Sequence, residues 1–214
     1  MTRKNSLPKF PDSYLGKRAE EYNSQKWMEK NQKNTTLKCV EFLYDEKLGH
    51  HEINSKEEIL ILDMGCGTGY STEILVELGF RVVGLDILSD MITKAREKKK
   101  QEKWRNLSLV LGDINHIPFR YSSFDHSISI SSYNFVVASK HDLKEKSLIA
   151  NNTATHLNNI LKNNGRIIIE FYPESEKELT LFTKSFIKNG FNGYIIKDNP
   201  KQKAGKSYLL LKKK

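Results

Sequence analysis

The sequence contains few of the residues that would indicate a secreted, zinc-binding or membrane protein. Only two of its 214 residues are cysteines, Cys39 and Cys66. Two cysteines form neither a disulfide framework nor a four-cysteine zinc site, so we interpret both as reduced thiols of an intracellular chain. No apolar run approaches the roughly 18 residues that cross a bilayer, and the polar start of the chain does not resemble a secretory signal. We expect a cytoplasmic protein, or a nuclear one in a eukaryote, with no membrane partner.

Acidic residues are fewer than basic ones, 26 against 35, and the excess of positive charge is clustered. The chain carries a formal net charge of +9, with a pI of about 9.3. Residues 94–105 hold seven positive and two negative side chains, and residues 197–214 hold seven lysines and one aspartate. Such runs are usually solvated surface. Two of them on one basic chain favour a nucleic-acid substrate.

The most informative segment lies at residues 59–71. An apolar run ends at Asp63, and three glycines follow at alternate positions, Gly65, Gly67 and Gly69. This pattern predicts a buried strand, a tight turn against a ligand, and the start of a helix. The dinucleotide fingerprint G-x-G-x-x-G would need a glycine where Tyr70 stands. The spacing D-x-G-x-G-x-G instead resembles the cofactor loop of class I S-adenosylmethionine (SAM) methyltransferases, the alternative being a plain glycine-rich turn.

Helix and strand patterns alternate along the rest of the chain. A helical pattern covers about 17–47, with a predicted break near 31–34. Strands are predicted at 59–63, 81–86, 107–111, 124–130, 165–172, 192–198 and 206–212, and helices at 70–78, 89–103, 142–162 and 174–189. This order predicts an α/β, Rossmann-like, doubly wound seven-stranded sheet whose last two strands form a hairpin, so that the last strand is antiparallel. We expect an N-terminal arm with helices at 1–50, packed on a methyltransferase domain at 51–214.

In a doubly wound sheet the ligand binds beyond the carboxyl ends of the strands. Asp86 ends the second strand, where a carboxylate can accept hydrogen bonds from both ribose hydroxyls. Its alternative role is to cap the helix that begins near Ser89. The third strand ends at Asp113 and Ile114, which we expect to face the adenine, unless they form an ordinary turn. The predicted cofactor residues are Asp63, Gly65, Cys66, Gly67, Gly69, Asp86, Ile87, Asp113, Ile114 and Ser131.

Several candidate acceptors of the methyl group can be eliminated from the sequence. No Asp-Pro-Pro-Tyr or Asn-Pro-Pro-Tyr segment follows the fourth strand, which disfavours methylation of an exocyclic amine. No Pro-Cys nucleophile is present, which disfavours a covalent route to cytosine C5. The sequence also contains no cluster at metal-ligand spacing, so we expect no metal site. Two kinds of acceptor remain. One is an atom that is already nucleophilic, such as a purine N7, and the other is a small molecule.

Several further segments resemble one family, the small-subunit ribosomal RNA (rRNA) guanine-N7 methyltransferases, from about residue 19 to residue 211. The most specific segments are 124–131, 171–174 and 190–208. The spacing of the family's leading helix is matched by Ala19, Tyr22, Met28 and Gln32.

The resemblance implies an attack of guanine N7 on the methyl group of SAM. Because N7 bears no proton, this reaction needs no catalytic base. By the same resemblance Tyr22 closes the cofactor pocket, Asn134 donates to the guanine O6 edge, and Phe135 or Tyr172 stacks on the base. The family has Gln-Trp where this chain has Asn134 and Phe135, and each aromatic residue has an ordinary core position as its alternative.

The resemblance also implies partners. The substrate would be rRNA in a precursor of the small ribosomal subunit. A small zinc-binding activator subunit would add a strand to the edge formed by residues 107–111. Alternatively, Trp104 and the N-terminal helix cover that edge. Two other functions stay open: a small-molecule methyltransferase, and a ribosome-assembly factor that acts mainly by binding.

Overall fold

A seven-stranded sheet with helices packed on both faces forms the centre of the fold. The computed structural model describes residues 10–49, 55–116, 119–133, 142–173, 175–198 and 206–214. The strands are β1 (Leu60–Met64), β2 (Arg81–Asp86), β3 (Leu107–Leu111), β4 (Phe124–Ser129), β5 (Leu161–Phe171), β6 (Phe191–Lys197) and β7 (Ser207–Lys213). The helices are α1 (Lys17–Asn23), α2 (Lys26–Leu43), α3 (Tyr70–Glu77), α4 (Ser89–Gln101), α5 (Leu143–Ile160) and α6 (Glu176–Lys188).

The strand order is β3-β2-β1-β4-β5-β7-β6. Strand β7 runs antiparallel to both of its neighbours, β5 and β6, whereas the other neighbouring pairs are parallel. The predicted fold, with its antiparallel last strand and closing hairpin, is therefore confirmed. Since β2 and β4 lie on opposite sides of β1, the direction of winding reverses between β1 and β4. In open α/β sheets this switch point opens a ligand cleft at the carboxyl ends of the strands.

Alternating side chains divide the core between the two faces of the sheet. In β1 the side chain of Leu62 packs in a cluster with residues of α5 and α6, while Ile61 packs in a second cluster with residues of α2 and α3. The inner strands are buried on both faces, which explains why they appear in the sequence as nearly continuous apolar runs. No helix among the described residues is long and apolar enough to cross a membrane.

Most element boundaries lie within one or two residues of the predictions, and two features differ by more. The N-terminal helical pattern breaks at Ser24 and Gln25, whereas residues 31–34 lie inside α2. The buried face of α2 packs on the sheet and outweighs the low helix propensity of asparagine. Strand β5 begins at Leu161 instead of residue 165, and a register shift between Phe124 and His126 of β4 accommodates the extra residues.

A buried arginine connects the N-terminal helices to the sheet. Arg166 of β5 is only 1% exposed, and its guanidinium donates to the carbonyl oxygen of Leu43 at 2.6 Å and to that of Gly49 at 2.5 Å. These bonds satisfy the carbonyl of the last residue of α2 and help to keep that helix against the sheet. The predicted domain boundary at residues 50 and 51 lies outside the described residues and stays a prediction.

Candidate functional site

Two adjoining cavities lie at the carboxyl ends of the central strands. The larger has a volume of about 270 Å³ and the smaller about 220 Å³. Both are lined by Phe10, Gly65, Asp86 and Ser132. Because they share these residues, the two cavities form one cleft that lies across the turn after β1 and the end of β2. This is the predicted location of the ligand.

The glycine turn after β1 shapes the floor of the cleft. Gly65 and Gly67 have φ angles of 71° and 55°, in the region that favours glycine. A Cβ atom on Gly65 would lie 2.3 Å from the Cβ atom of Ser132, so a side chain there would collide with the segment that follows β4. A Cβ atom on Gly67 would meet no atom within 4 Å. Position 67 borders open space in the cleft, and a side chain there would occupy the room of a ligand.

Asp86 lies at the junction of the two cavities. Its Oδ2 atom accepts from the backbone N–H of Gly67 at 2.9 Å, and its Oδ1 atom accepts from the N–H of Leu88 at 2.9 Å. Burial raises the pKa of this carboxyl group, and the backbone donors oppose that shift. The N-cap residue of α4 is Leu88. Asp86 therefore does not occupy the N-cap position, which was its alternative role. The carboxylate keeps acceptor capacity for a ligand with hydroxyl groups.

Asp63 has a different role from Asp86, although both end a strand. It is fully buried, and its Oδ2 atom accepts from the hydroxyls of Ser71 at 2.6 Å and Thr72 at 2.8 Å in the first turn of α3. Asp63 lines neither cavity. Gly69, at the N-cap of α3, also lies outside the lining and packs against Ala95 of α4. These two predicted cofactor residues therefore stabilise the glycine turn and the start of α3 from outside the cleft.

The smaller cavity contains the residues that were predicted to face an adenine. Ile87, Asp113 and Ile114 line it. The Oδ1 atom of Asp113 accepts from the N–H of Asn115 at 2.8 Å, and Ile87 is half exposed. One side of the cavity therefore presents a carboxylate and two branched apolar side chains, a combination that suits a flat heteroaromatic ring with an amine on its edge.

The larger cavity is lined by residues of the N-terminal helices. Tyr22 of α1 lies in this lining, and its hydroxyl accepts from the side-chain amide of Gln32 of α2. The Tyr22 ring lies 5.4 Å from that of Tyr14 and 6.4 Å from that of Tyr70, centroid to centroid. Cys66 lines the same cavity. The N-terminal helices thus close the cleft over the glycine turn.

A buried carboxylate organises the far wall of the larger cavity. Glu170 at the end of β5 is fully buried. It accepts from the hydroxyl of Tyr172 at 3.0 Å and from the hydroxyl of Ser131, and its Oε1 atom lies 3.1 Å from the ammonium nitrogen of Lys206. Ser131 and Tyr172 line the cavity, whereas Glu170 does not. Lys206 also donates to Asn31 of α2 at 2.9 Å, so the network joins three parts of the fold.

Sequence reasoning missed Glu170. The only signal was a lone acidic residue in the apolar run of β5, which could have indicated a buried ion pair. Of the predicted residues, the cleft brings together Tyr22, Gly65, Cys66, Gly67, Asp86, Ile87, Asp113, Ile114, Ser131 and Tyr172. The predicted catalytic residues Asn134 and Phe135 lie outside the described residues. Within the described part of the chain, no group of three or more His, Cys, Asp or Glu side chains is placed to hold a metal ion.

The chain matches the model of a family described as a methyltransferase domain over residues 55–206. An 18S rRNA (guanine(1575)-N(7))-methyltransferase of Saccharomyces cerevisiae is 31% identical over 208 residues, which cover 95% of this chain and 69% of the relative. This chain belongs to the 18S rRNA guanine-N7 methyltransferase family. The resemblance predicted from its motifs is thereby confirmed.

Other relatives agree with this assignment. 18S rRNA (guanine-N(7))-methyltransferases of Schizosaccharomyces pombe and Bos taurus are each 35% identical over 71% of this chain. The chain spans about half the length of these two relatives, 55% and 53%.

Solved structures share the fold, and two of them cover nearly the whole chain. A protein of Pyrococcus horikoshii OT3 has a TM-score of 0.69 at 22% identity, with 96% of this chain and 100% of that one covered. Magnesium protoporphyrin IX methyltransferase of Synechocystis PCC 6803 with bound SAM has a TM-score of 0.65 at 18% identity, covering 95% of this chain and 94% of that one. The cleft described here fits such a ligand, because Gly67 leaves open space beside a buried carboxylate.

The buried Asp63 carboxyl gives the fold a testable pH dependence. Burial raises its pKa from 3.8 to about 6. As the pH rises through this interval, the unfolded chain releases the proton while the folded chain retains it, so the folded state loses relative stability. We expect the free energy of unfolding of the wild type to fall, relative to Asp63→Asn, by up to about 3 kcal/mol between pH 4 and pH 7. Chemical denaturation of both proteins at several pH values measures this difference, and parallel pH profiles would contradict the assignment.

Proposed function

We propose that this chain is a SAM-dependent methyltransferase that methylates N7 of a guanine in small-subunit rRNA during ribosome biogenesis. The observation that carries the proposal is the cleft itself, in which a glycine turn and a buried carboxylate meet at the switch point of the sheet. The similarity to the S. cerevisiae relative over 95% of the chain supports the choice of guanine N7.

The proposed cofactor residues divide along the cleft. Asp86 accepts hydrogen bonds from the ribose hydroxyls. Asp113 binds the adenine in the smaller cavity, where Ile87 and Ile114 pack against the ring. At the other end the methionine part lies over the glycine turn, beside Tyr22, Cys66 and Ser131. SAM supplies an electrophilic methyl group on a sulfonium. The positive charge spreads as the methyl group leaves, so the cleft contributes alignment and a dry environment.

The proposed acceptor is guanine N7, whose lone pair needs no deprotonation. The far wall of the larger cavity fits this chemistry, because its polar side chains are already bonded to one another. Glu170 is bonded to Tyr172 and Ser131 and is paired with Lys206. Burial, and next the Glu170 charge, raise the pKa of the Tyr172 hydroxyl, so this tyrosine stays protonated and offers a ring instead of a base. Asn134, toward guanine O6, and Phe135 or Tyr172, as stacking rings, complete the proposed acceptor site.

We assign the rRNA partner partly to the basic surface. The last turn of α4 carries Lys99 and Lys100, and residues 94–105 continue that charge to Arg105. The ammonium of the neighbouring Lys98 is buried 3.6 Å from the ring centroid of Tyr70 and is not part of this surface. Lysine contacts to phosphates give affinity without sequence specificity and weaken as salt rises. The N7 specificity must therefore come from the cleft.

The cofactor assignment predicts a strong effect of Asp86→Ala on SAM binding. The variant removes a charged acceptor for the ribose, and each hydrogen bond to a charged group contributes about 1.5–3 kcal/mol. We expect at least a tenfold loss of SAM affinity in calorimetry, with a circular dichroism spectrum like that of the wild type. Glu97→Ala, a carboxylate removed from the exposed surface of α4, serves as the matched control. Wild-type affinity in Asp86→Ala would refute the assignment.

The substrate assignment is tested by methyl transfer in vitro. We expect the purified chain to transfer labelled methyl from SAM to small-subunit rRNA, and nuclease digestion with mass spectrometry to show 7-methylguanosine. Asp86→Ala should abolish this product. Transfer to small-molecule acceptors but not to RNA would favour a small-molecule methyltransferase. Specific RNA binding without any transfer would favour an assembly factor that acts mainly by binding.

We also propose that a small zinc-binding activator subunit pairs with the edge strand β3. The strand is at one edge of the sheet, and Leu111 at its end is 56% exposed. Trp104 and Leu109 are partly buried against the cluster of α2 and α3, so one face of β3 is covered. No other described strand pairs with its outer edge, which leaves room there for a strand from a partner.

The exposed Leu111 gives a better test of this partner than the half-buried Leu109. Leu111→Lys places a charge at the proposed interface and is expected to break the complex in a co-purification experiment. We expect the wild type to be poorly soluble or inactive alone and to be rescued by co-expression of the activator. Ser123→Lys, in the turn before β4, is the control for added charge. A wild-type chain that is soluble and fully active alone would contradict the proposal.

A further inference from the structure

Trp27 is a large aromatic side chain exposed at the entrance of the cleft. It lies in the first turn of α2 and lines the larger cavity together with Gly67 and Asp86. Its exposure is 64%, and within the described part of the chain its indole has no hydrogen bond or ring contact. A side chain of this size usually buries 150–250 Å², so its position at a cleft favours a ligand that covers it.

Exposure separates Trp27 and Tyr172 from the other aromatic residues of the cavity. Phe10, Tyr14 and Tyr22 are partly buried, whereas Trp27 and Tyr172 are exposed, Tyr172 by 40%. The exposed pair therefore marks the side on which the larger cavity opens to solvent. The hydroxyl of Tyr172 is fixed by Glu170 at 3.0 Å, which limits the movement of its ring. Trp27 has no comparable restraint among the described residues.

Two lysines lie near Trp27 along α2, and the acidic residue of that helix's first turn, Glu29, is paired with Lys33 at 2.8 Å. Lys26 precedes it and Lys30 lies one helical turn further along α2, and both are exposed. Neither forms a salt bridge within the described residues. An exposed aromatic ring between unpaired lysines is a pattern that suits single-stranded nucleic acid, in which a base stacks and the adjacent phosphates meet the cations. A small apolar acceptor would make no use of these charges.

We propose that Trp27 stacks on a base of an unpaired RNA segment at the acceptor end of the cleft, and that Lys26 and Lys30 contact the phosphates beside that base. This inference rests on the proposed function for its choice of RNA. It adds a subsite on α2 to the acceptor residues of the strand ends. It also explains why a bulky side chain is exposed beside the cavity.

Fluorescence offers a direct test, because the chain has only two tryptophans, Trp27 and Trp104. In Trp104→Phe the emission comes from Trp27 alone. We expect a single-stranded RNA oligonucleotide with unpaired guanines to quench this emission, and a duplex of the same sequence to quench it much less. Unchanged emission at saturating single-stranded RNA would overturn the inference.

Affinity measurements complete the test. Trp27→Ala should weaken binding of the single-stranded oligonucleotide by about tenfold in anisotropy titrations, with most of the loss restored in Trp27→Phe. SAM affinity should be unchanged in both variants. Tyr121→Ala, which removes an aromatic side chain that is 76% exposed elsewhere on the surface, is the matched control and should bind RNA like the wild type.

The remaining outcomes separate this inference from the proposed function. If Trp27→Ala binds RNA like the control while the wild type methylates rRNA, the inference fails and the function stands. If Trp27→Ala loses SAM affinity, Trp27 belongs to the cofactor wall or supports the fold, and the inference fails. If the wild type binds neither single-stranded nor duplex RNA, both the proposed function and the inference fail.

Discussion

The hydrogen bond from the N–H of Gly67 to the carboxylate of Asp86 is the interaction on which the cleft depends. It joins the turn after β1 to the end of β2, and the N–H groups of Gly65 and Cys66 strengthen this junction by donating to the carbonyl of Leu85 at 2.7 and 3.0 Å. Burial of the Asp86 charge opposes folding, and the backbone donors offset part of that cost. The same carboxylate therefore holds the turn in place and presents acceptor capacity at the point where the two cavities meet.

Most of the fold could be predicted from the sequence because its signals are local. The apolar runs, the glycines after β1 and the missing helix between the last two strands determined the order of elements, and the structure confirms the predicted fold. The break at Ser24 and the early start of β5 could not be predicted, since both depend on packing between distant segments. A helical pattern in the sequence does not show where packing will override the low helix propensity of a polar residue.

The location of the site could be predicted from the sequence, but the roles of its residues could be predicted only in part. Asp63 and Asp86 look alike in the sequence, each an acidic residue at a strand end. Only the fold shows that the hydroxyls of Ser71 and Thr72 bind one of them behind the turn, while the other faces the cleft. Glu170 was missed because its partners come from the segments after β4 and β5 and from the segment before β7. Trp27 was missed because the phase of α2 relative to the cavity is a tertiary property.

Taken together, the contacts assign two ends to one cleft. The end near Asp113 is small and lined by branched side chains, and the end near Tyr172 is aromatic and includes the exposed Trp27 of α2. This asymmetry suits a bound cofactor that meets a large, negatively charged substrate from outside. Near Tyr172 the polar side chains are bonded to one another, which suits an attacking atom that bears no proton.

The most direct test of this account is mass spectrometry of rRNA from cells that lack the gene, complemented with the wild type or with Asp86→Ala. The account predicts that one 7-methylguanosine of the small-subunit rRNA is lost without the gene, returns with the wild type, and stays absent with Asp86→Ala expressed at the same level. An unchanged 7-methylguanosine content in the small-subunit rRNA of cells without the gene would contradict the account.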